Sequence, residues 1–220
     1  MGLRNDYYFS TYQDQIREAF IGKDNRMNFR YLMHSIHLYH MGKYKRCIKV
    51  LNYLKEKAKT NDDFCAVLFF KGRCYSDLGY RTLAIETFES ILIYNDKYGS
   101  ALSNLGRLYA ENGENNKAID CYTKAIAQDS SNATTFNNLG HLYLTMAEYE
   151  SAIEYARVAL GIQGNLYQAA NCICMSYYAL GDRRNGEKYF KIAVSNGQDP
   201  DTLKMAIQRM EAIVKIDEFV

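Results

Sequence analysis

A period of 34 residues is the feature that most constrains how this chain of 220 residues can fold. Three sets of positions keep the period, and each set holds mostly one kind of residue. The sets are Gly72, Gly106, Gly140 and Cys174; Tyr75, Tyr109, Tyr143 and Tyr177; and Gly79, Gly113, Ala147 and Gly181. Agreement of this many positions on one period indicates an array of repeated units, each of which contacts only its neighbours.

Residues 99–132 show the pattern that is repeated. The segment is typical of two short amphipathic helices joined at Asn112-Gly113. Three large apolar residues recur at helical spacing on each helix, and they are Leu102, Leu105 and Tyr109, then Ile119, Tyr122 and Ile126. Because neither helix can bury its apolar stripe alone, the pattern predicts a helical hairpin that packs on itself and on the next hairpin.

The period, the hairpin pattern and the segments NLGRLY (residues 104–109) and NLGHLY (residues 138–143) together resemble the tetratricopeptide repeat (TPR) family. Two family features are missing. No Trp occupies the first-helix anchor position, which holds Leu68, Leu102, Phe136 and Ala170. The proline that is common at the end of a unit is replaced by Asp96, Ser130 and Gly164. The anchor needs only an apolar side chain, and Asn, Asp, Ser or Gly can also end a helix.

The resemblance implies an all-α fold, a right-handed α-solenoid of about five TPR helix-turn-helix units with an extra N-terminal helix and a C-terminal capping helix. The expected segments are 1–27 (N-terminal helix and loop), the array 28–200 with units 28–61, 65–98, 99–132, 133–166 and 167–200, and the capping helix 201–220. The step from Gly42 to Gly79 is 37 residues, which predicts three extra residues in or just after residues 60–63.

Helices are expected on both sides of the array. Residues 6–21 predict an amphipathic helix that ends at Gly22. At the other end, Asp199 can cap a final helix with Pro200 in its first turn. The apolar residues of that helix are Leu203, Ile207, Met210 and Val214.

Composition excludes several classes of function. The chain has 27 basic and 25 acidic residues, so its overall charge does not favour a nucleic-acid partner. It has no run of about 18 apolar residues and no signal-peptide core, so we expect a cytoplasmic protein without a membrane partner. The six cysteines fit a reduced protein, because Cys47 and Cys174 occupy small-residue packing positions.

The sequence shows no catalytic constellation, so it predicts that the protein is not an enzyme. Three histidines lie on one short segment, but His40 is rotated about 240° from His34 on a helix. Cys172 and Cys174 are two residues apart on a helix and point in nearly opposite directions. We therefore expect no metal site and no cofactor.

In the TPR family the first helices of successive units line a concave groove, so the resemblance implies a groove that binds an extended peptide. Carried over by register, the groove residues are Arg73, Ser103, Asn104, Arg107, Asn137, Asn138, His141, Met175 and Tyr178. The same register places Phe29, Leu32, Ile36, Tyr39 and Phe69 at an apolar first end of the groove. It places Met33 and Cys172 at other groove positions. The chaperone-binding members carry a Lys at position 5 of particular repeats, and this chain has none there.

Asparagine amides suit a peptide backbone and arginines suit carboxylates, so an acidic partner is expected. Alternative roles are left open: the asparagines can tie neighbouring helices together, and Arg73 and Arg107 can pair with Asp77 and Glu111. The main hypothesis is a protein-interaction scaffold. The alternatives are a recruiting or regulatory module of a longer enzyme, and a self-associating protein that uses apolar residues such as Tyr167 and Tyr178.

Overall fold

The computed structural model describes residues 26–217, and side chains from residue 29 to residue 212. The described residues form eleven helices and no strand. The helices are α1 (Arg26–His40), α2 (Tyr44–Lys57), α3 (Asn61–Asp77), α4 (Arg81–Tyr94), α5 (Gly99–Glu111), α6 (Asn115–Gln128), α7 (Ala133–Thr145), α8 (Tyr149–Ile162), α9 (Tyr167–Ala179), α10 (Arg183–Ser195) and α11 (Pro200–Asp217).

The turn inside each helical hairpin has one residue in the left-handed region. Glycine fills this position in four of the five turns, at Gly42, Gly79, Gly113 and Gly181, with φ between 69° and 79°. Ala147 takes the place of glycine in the fourth turn at φ 60°. A side chain there is strained, because the left-handed conformation brings Cβ too close to the backbone.

The chain divides into two compact units, residues 1–108 (unit 1) and 109–220 (unit 2), with the boundary inside α5. In unit 1, α1 packs on α2, α2 on α3, and α3 on α4. Gly72 of α3 faces the Phe88 ring of α4, and a Cβ added at Gly72 would lie 2.9 Å from that ring. Phe88 is fully buried, so the glycine makes room for a large aromatic side chain.

Unit 2 repeats the hairpin with a different close contact. Gly140 of α7 faces the backbone of α8, and an added Cβ would lie 3.1 Å from the Ala156 nitrogen and 3.2 Å from the Ala152 oxygen. The buried core of this region includes Ala152, Ala156 and Ala159, so small residues on both helices allow the backbones to approach.

The end of the array is covered by α11, as the sequence predicts. Asp199 caps this helix by accepting a 2.8 Å hydrogen bond from the Thr202 backbone nitrogen. Leu203 and Ile207 are buried in a cluster with Ala170, Cys174 and Ala193. The first apolar residues of the helix therefore pack on α9 and α10.

The three extra residues lie where the sequence predicts them, and they are helical. Helix α3 has 17 residues, whereas α5, α7 and α9 have 13 each. Thr60 and Asp63 form a capping box at its start, in which each side chain accepts from the other's backbone N–H. The extra residues lengthen the first helix of the second repeat by about one turn.

The predicted all-α TPR fold is confirmed. The helix predicted at residues 6–21 lies outside the described residues. The exact division into segments 1–27, 28–200 and 201–220 stays a prediction. Among residues 26–217, no helix combines the length and apolarity that crossing a bilayer would require.

Candidate functional site

The first helices of unit 1 hold an arginine on aromatic rings. The guanidinium carbon of Arg73 lies 4.4 Å from the centre of the Tyr39 ring and 5.9 Å from the centre of the Phe69 ring. This geometry is a cation–π interaction, which holds the guanidinium against both rings. Arg73 is half-buried, and no ion pair joins it to a carboxylate in the described part of the chain.

Asp77, which the alternative interpretation pairs with Arg73, contacts Tyr39. The Tyr39 hydroxyl donates a 2.5 Å hydrogen bond to the Asp77 carboxylate. Burial, together with this carboxylate, raises the pKa of Tyr39 above its usual range, although the charge of Arg73 opposes the rise. Tyr39 therefore stays protonated and holds both Asp77 and Arg73 in place.

Arg107 and its neighbours form the next part of this face. Arg107 donates a 2.7 Å hydrogen bond to the Ser76 hydroxyl of α3. The Asn104 amide donates to the Ser100 carbonyl at 2.8 Å, so it bonds to its own helix. Ser103 is 9% exposed, which makes it the most enclosed of the predicted groove residues in unit 1.

The corresponding face of unit 2 is uncharged. Helices α7 and α9 contain no Asp, Glu, Lys or Arg. Asn138 is half-buried and makes no hydrogen bond to any described residue, so its amide can both donate and accept. Asn137 is buried, and its side-chain oxygen has no hydrogen-bond partner among the described residues.

A second amide oxygen without a partner lies one repeat further on. Asn171 donates a 2.8 Å hydrogen bond to the Gln198 side-chain oxygen, but its own buried oxygen has no partner in the described part of the structure. Asn137 and Asn171 are 34 residues apart, so they occupy the same position in consecutive repeats. Such oxygens are uncommon, because leaving a buried acceptor unpaired costs about 1–3 kcal/mol.

His141 links α7 to α9. Its Nε2 lies 3.3 Å from the Gln168 carbonyl oxygen, which can only accept, so Nε2 is the protonated nitrogen. Burial lowers the pKa of His141 below its ordinary value, although the bond to Gln168 opposes this. The imidazole is therefore neutral at pH 7, and Nδ1 is its acceptor.

The two remaining predicted residues pack within unit 2. Met175 is half-buried against the apolar clusters of α8–α11. The Tyr178 ring covers Gly186 of α10, where an added Cβ would lie 2.8 Å from the ring. Its hydroxyl donates to Glu187 at 3.3 Å, so most of this side chain is engaged inside the last hairpin.

Register alone misplaced part of the apolar end. Leu32, Ile36 and Phe69 are 0%, 4% and 2% exposed, and Cys172 is also fully buried. These residues pack the core and do not line an open surface. The sequence analysis did not predict the contact between Tyr39 and Asp77. These residues are 38 positions apart, so they do not occupy equivalent positions in their two repeats.

The cysteines lie in the core. All six belong to the described part of the chain, all are buried, and no disulfide joins them. Burial raises the pKa of Cys65 to about 11 and of Cys172 to about 12, so these thiols stay protonated. Within the described residues, no group of three or more His, Cys, Asp or Glu side chains could hold a metal ion.

Comparison with protein families identifies the repeats directly. A model described as "TPR repeat" matches residues 106–147. A second, described as "Tetratricopeptide repeat", matches residues 66–92 and 133–166. No curated protein matches the sequence.

Solved structures of MamA share the fold. One MamA crystal structure is 25% identical, with a TM-score of 0.64 over 74% of this chain and 93% of MamA. A second is 25% identical, with a TM-score of 0.63 over 77% and 91%. MamA from Desulfovibrio magneticus (residues 41 to the end) is 16% identical, with a TM-score of 0.66 over 78% and 95%, and shows a likeness of fold alone.

The repeated sequence, the helical hairpins and the family matches agree. TPR arrays generally serve to hold other proteins. The chain belongs to the tetratricopeptide repeat family and is a protein-interaction scaffold.

Proposed function

We propose that this scaffold binds extended segments of partner proteins on the exposed faces of its first helices, with each unit acting by itself. In unit 1, Arg73 binds an acidic side chain or a terminal carboxylate. In unit 2, the asparagines bind a peptide backbone. The observation that carries the proposal is the contact of Arg73 with Tyr39, which holds a charged donor at the surface with no carboxylate paired to it.

The charge and the geometry of Arg73 support an acidic ligand. A guanidinium that is stacked on an aromatic ring keeps its in-plane N–H groups available for a carboxylate. Arg107 lies on the same unit and is already oriented by Ser76. Because both side chains are held before the ligand arrives, little conformational entropy is lost on binding.

The amides of unit 2 support recognition of a backbone. A peptide in an extended conformation presents N–H and C=O groups in alternation, and an asparagine side chain can pair with both. Asn138 is available for this role, and the buried side-chain oxygens of Asn137 and Asn171 have no hydrogen-bond partner among the described residues. A few such bonds, at about 1 kcal/mol each, with one apolar anchor correspond to roughly micromolar affinity.

The buried thiols support a reducing compartment for the protein. Six cysteines without a disulfide are usual in the cytosol and uncommon in secreted proteins. This supports our proposal of a cytoplasmic location for the protein and its partner.

A paired pull-down from source-cell lysate tests the proposal. The bait proteins are the wild type, the variant Arg73→Ala/Arg107→Ala/Asn138→Ala, and a matched control with three exposed second-helix residues changed, Lys124→Ala/Glu150→Ala/Lys188→Ala. Circular dichroism checks that all three are folded, and mass spectrometry identifies the bound proteins. We expect partners that bind the wild type and the control and not the first variant. Identical partner sets for all three baits would contradict the proposal.

A further inference from the structure

One helix is strongly basic, although the net charge of the whole chain is close to zero. Residues 43–59, which comprise α2 and its flanks, contain seven basic residues and one acid, Glu56. The rest of the chain carries 20 basic and 24 acidic residues, so the remainder is slightly acidic. The basic residues are Lys43, Lys45, Arg46, Lys49, Lys55, Lys57 and Lys59.

All seven basic side chains are exposed. The buried residues of α2 are Cys47, Leu51 and Leu54, so its apolar face is covered by the fold and its basic face is turned to solvent. Surface lysines elsewhere in the chain often have an acidic neighbour, as Lys124 has in Asp120. Apart from Lys57, the basic residues of this helix form no ion pair with any residue that the structure describes.

Two further observations describe the surface around α2. Burial lowers the pKa of Lys71 on α3, and the charge of Lys55 lowers it further, so like charges lie close together here. Tyr53 is 47% exposed beside these lysines, and its ring contacts the Tyr31 ring edge-on at 5.4 Å. Repulsion within the face is relieved when an anion binds, and the tyrosines offer apolar contact to the same ligand.

We propose that the exposed face of α2 is a second docking surface, separate from the first-helix faces, and that it binds an acidic segment of a partner protein. Charge complementarity carries this assignment. Helix α2 is about 20 Å long, which suits a segment of several acidic residues. Glu56 lies among the lysines and would repel a uniform polyanion, whereas a protein segment can place an uncharged residue opposite it.

Fluorescence anisotropy with defined probes tests the proposal. The probe is a fluorescein-labelled peptide of repeating Glu-Ser, with a Gln-Ser peptide as the neutral control. The test variant is Lys45→Gln/Arg46→Gln/Lys49→Gln, which keeps helix propensity. The matched control, Lys124→Gln/Lys188→Gln/Lys191→Gln, makes the same change in net charge on exposed lysines of α6 and α10. Thermal melts confirm that both variants fold.

We expect the α2 variant to bind the Glu-Ser peptide about tenfold more weakly than the wild type, since three surface ion pairs are lost. The control variant should bind as the wild type does, and the affinity should fall as salt rises. Equal losses in both variants, or no loss in either, would overturn the proposal. Tighter α2-dependent binding of single-stranded oligothymidylate or of vesicles containing phosphatidylserine, at the same salt, would also overturn it, because the surface would then recognise phosphate.

Discussion

Unit 1 and unit 2 use the same helical hairpin to present different chemistry. Arg73 of unit 1 and His141 of unit 2 occupy equivalent positions, two periods apart. Arg73 is charged and stacked on Tyr39, whereas burial lowers the pKa of His141 and its ring is neutral. The neighbouring polar residues are Ser103, Asn104 and Arg107 in unit 1, and Asn137 and Asn138 in unit 2. The comparison shows that the repeat fixes where a side chain stands, while its neighbours decide whether that side chain presents charge or neutral hydrogen-bonding groups.

The hairpins of the two units also differ in how they are packed. Gly72 in unit 1 makes room for the side chain of Phe88, whereas Gly140 in unit 2 makes room for the backbone of α8. A side chain can be shortened by mutation and a backbone cannot. A larger side chain at this glycine position should therefore be easier to accommodate in unit 1 than in unit 2.

The largest expected effect is that of Gly140→Leu. The new side chain would have to displace α8 at Ala152 and Ala156, so we expect a loss of about 3 kcal/mol or more in the free energy of unfolding. Urea denaturation followed by circular dichroism measures it. Gly161→Ala is the control, because nothing lies within 4 Å of a Cβ at Gly161 and a helical glycine is unfavourable. The control should gain up to about 1 kcal/mol. A Gly140→Leu protein as stable as the wild type would contradict the packing described for unit 2.

A double-mutant cycle in each unit measures how strongly the glycine is coupled to the residue that it faces. Gly72→Ala should destabilise unit 1 by about 1–3 kcal/mol, and Phe88→Leu in the same chain should relieve part of that loss. We expect a favourable coupling of about 1 kcal/mol between these two changes. The matched cycle of Gly140→Ala with Ala156→Gly should show little coupling, since the nearest atoms are backbone. Equal coupling in both cycles would remove the distinction between the units.

The turn of the fourth hairpin offers a smaller, stabilising change. Ala147 is the non-glycine residue with positive φ in the described structure, and Ala147→Gly removes the strain. We expect a gain of about 1 kcal/mol in the free energy of unfolding. Gly113→Ala, at φ 78° with nothing within 4 Å of the added Cβ, should lose a similar amount. If both substitutions left the melting temperature unchanged, the strain assigned to Ala147 would be absent.

The smallest expected effect is the pH dependence due to His141. Because burial lowers its pKa in the folded state, the unfolded chain binds a proton at a pH where the folded chain does not. The free energy of unfolding should therefore fall as the pH drops below the ordinary histidine value of about 6.5, until the folded pKa is reached. His141→Gln should reduce this fall. Chemical denaturation of both proteins above and below that pH measures it, and an identical pH dependence would show that His141 is not the group responsible.

The sequence predicted the fold more completely than the site, and the reason is physical. The period of the glycines and tyrosines is set by hairpin packing, so it located the hairpins and the turn at Ala147 correctly. The register placed Arg73 and Tyr39 along the same groove, but it does not predict that their side chains contact each other. Leu32, Ile36 and Phe69 stand at groove positions of the register yet fill the core, because burial depends on neighbouring side chains and not on position alone.

The most direct test of the central claim is whether Arg73 recognises a ligand carboxylate. A binding peptide is first selected by panning a random peptide display library on the wild-type protein. Calorimetry then compares the wild type and Arg73→Ala, each with the selected peptide and with a version whose acidic residues are replaced by their amides. Asn138→Ala, with the same two peptides, serves as the uncharged comparison from unit 2.

We predict that Arg73→Ala alone and the amide peptide alone each weaken binding about tenfold. The two changes combined should weaken it no further. This outcome corresponds to a coupling of about 1.4 kcal/mol. Asn138→Ala should leave the ratio of the two peptides' affinities unchanged. Additive losses for Arg73→Ala and the amide peptide, or affinity that is indifferent to both, would contradict the claim that the first-helix face of unit 1 binds an acidic segment.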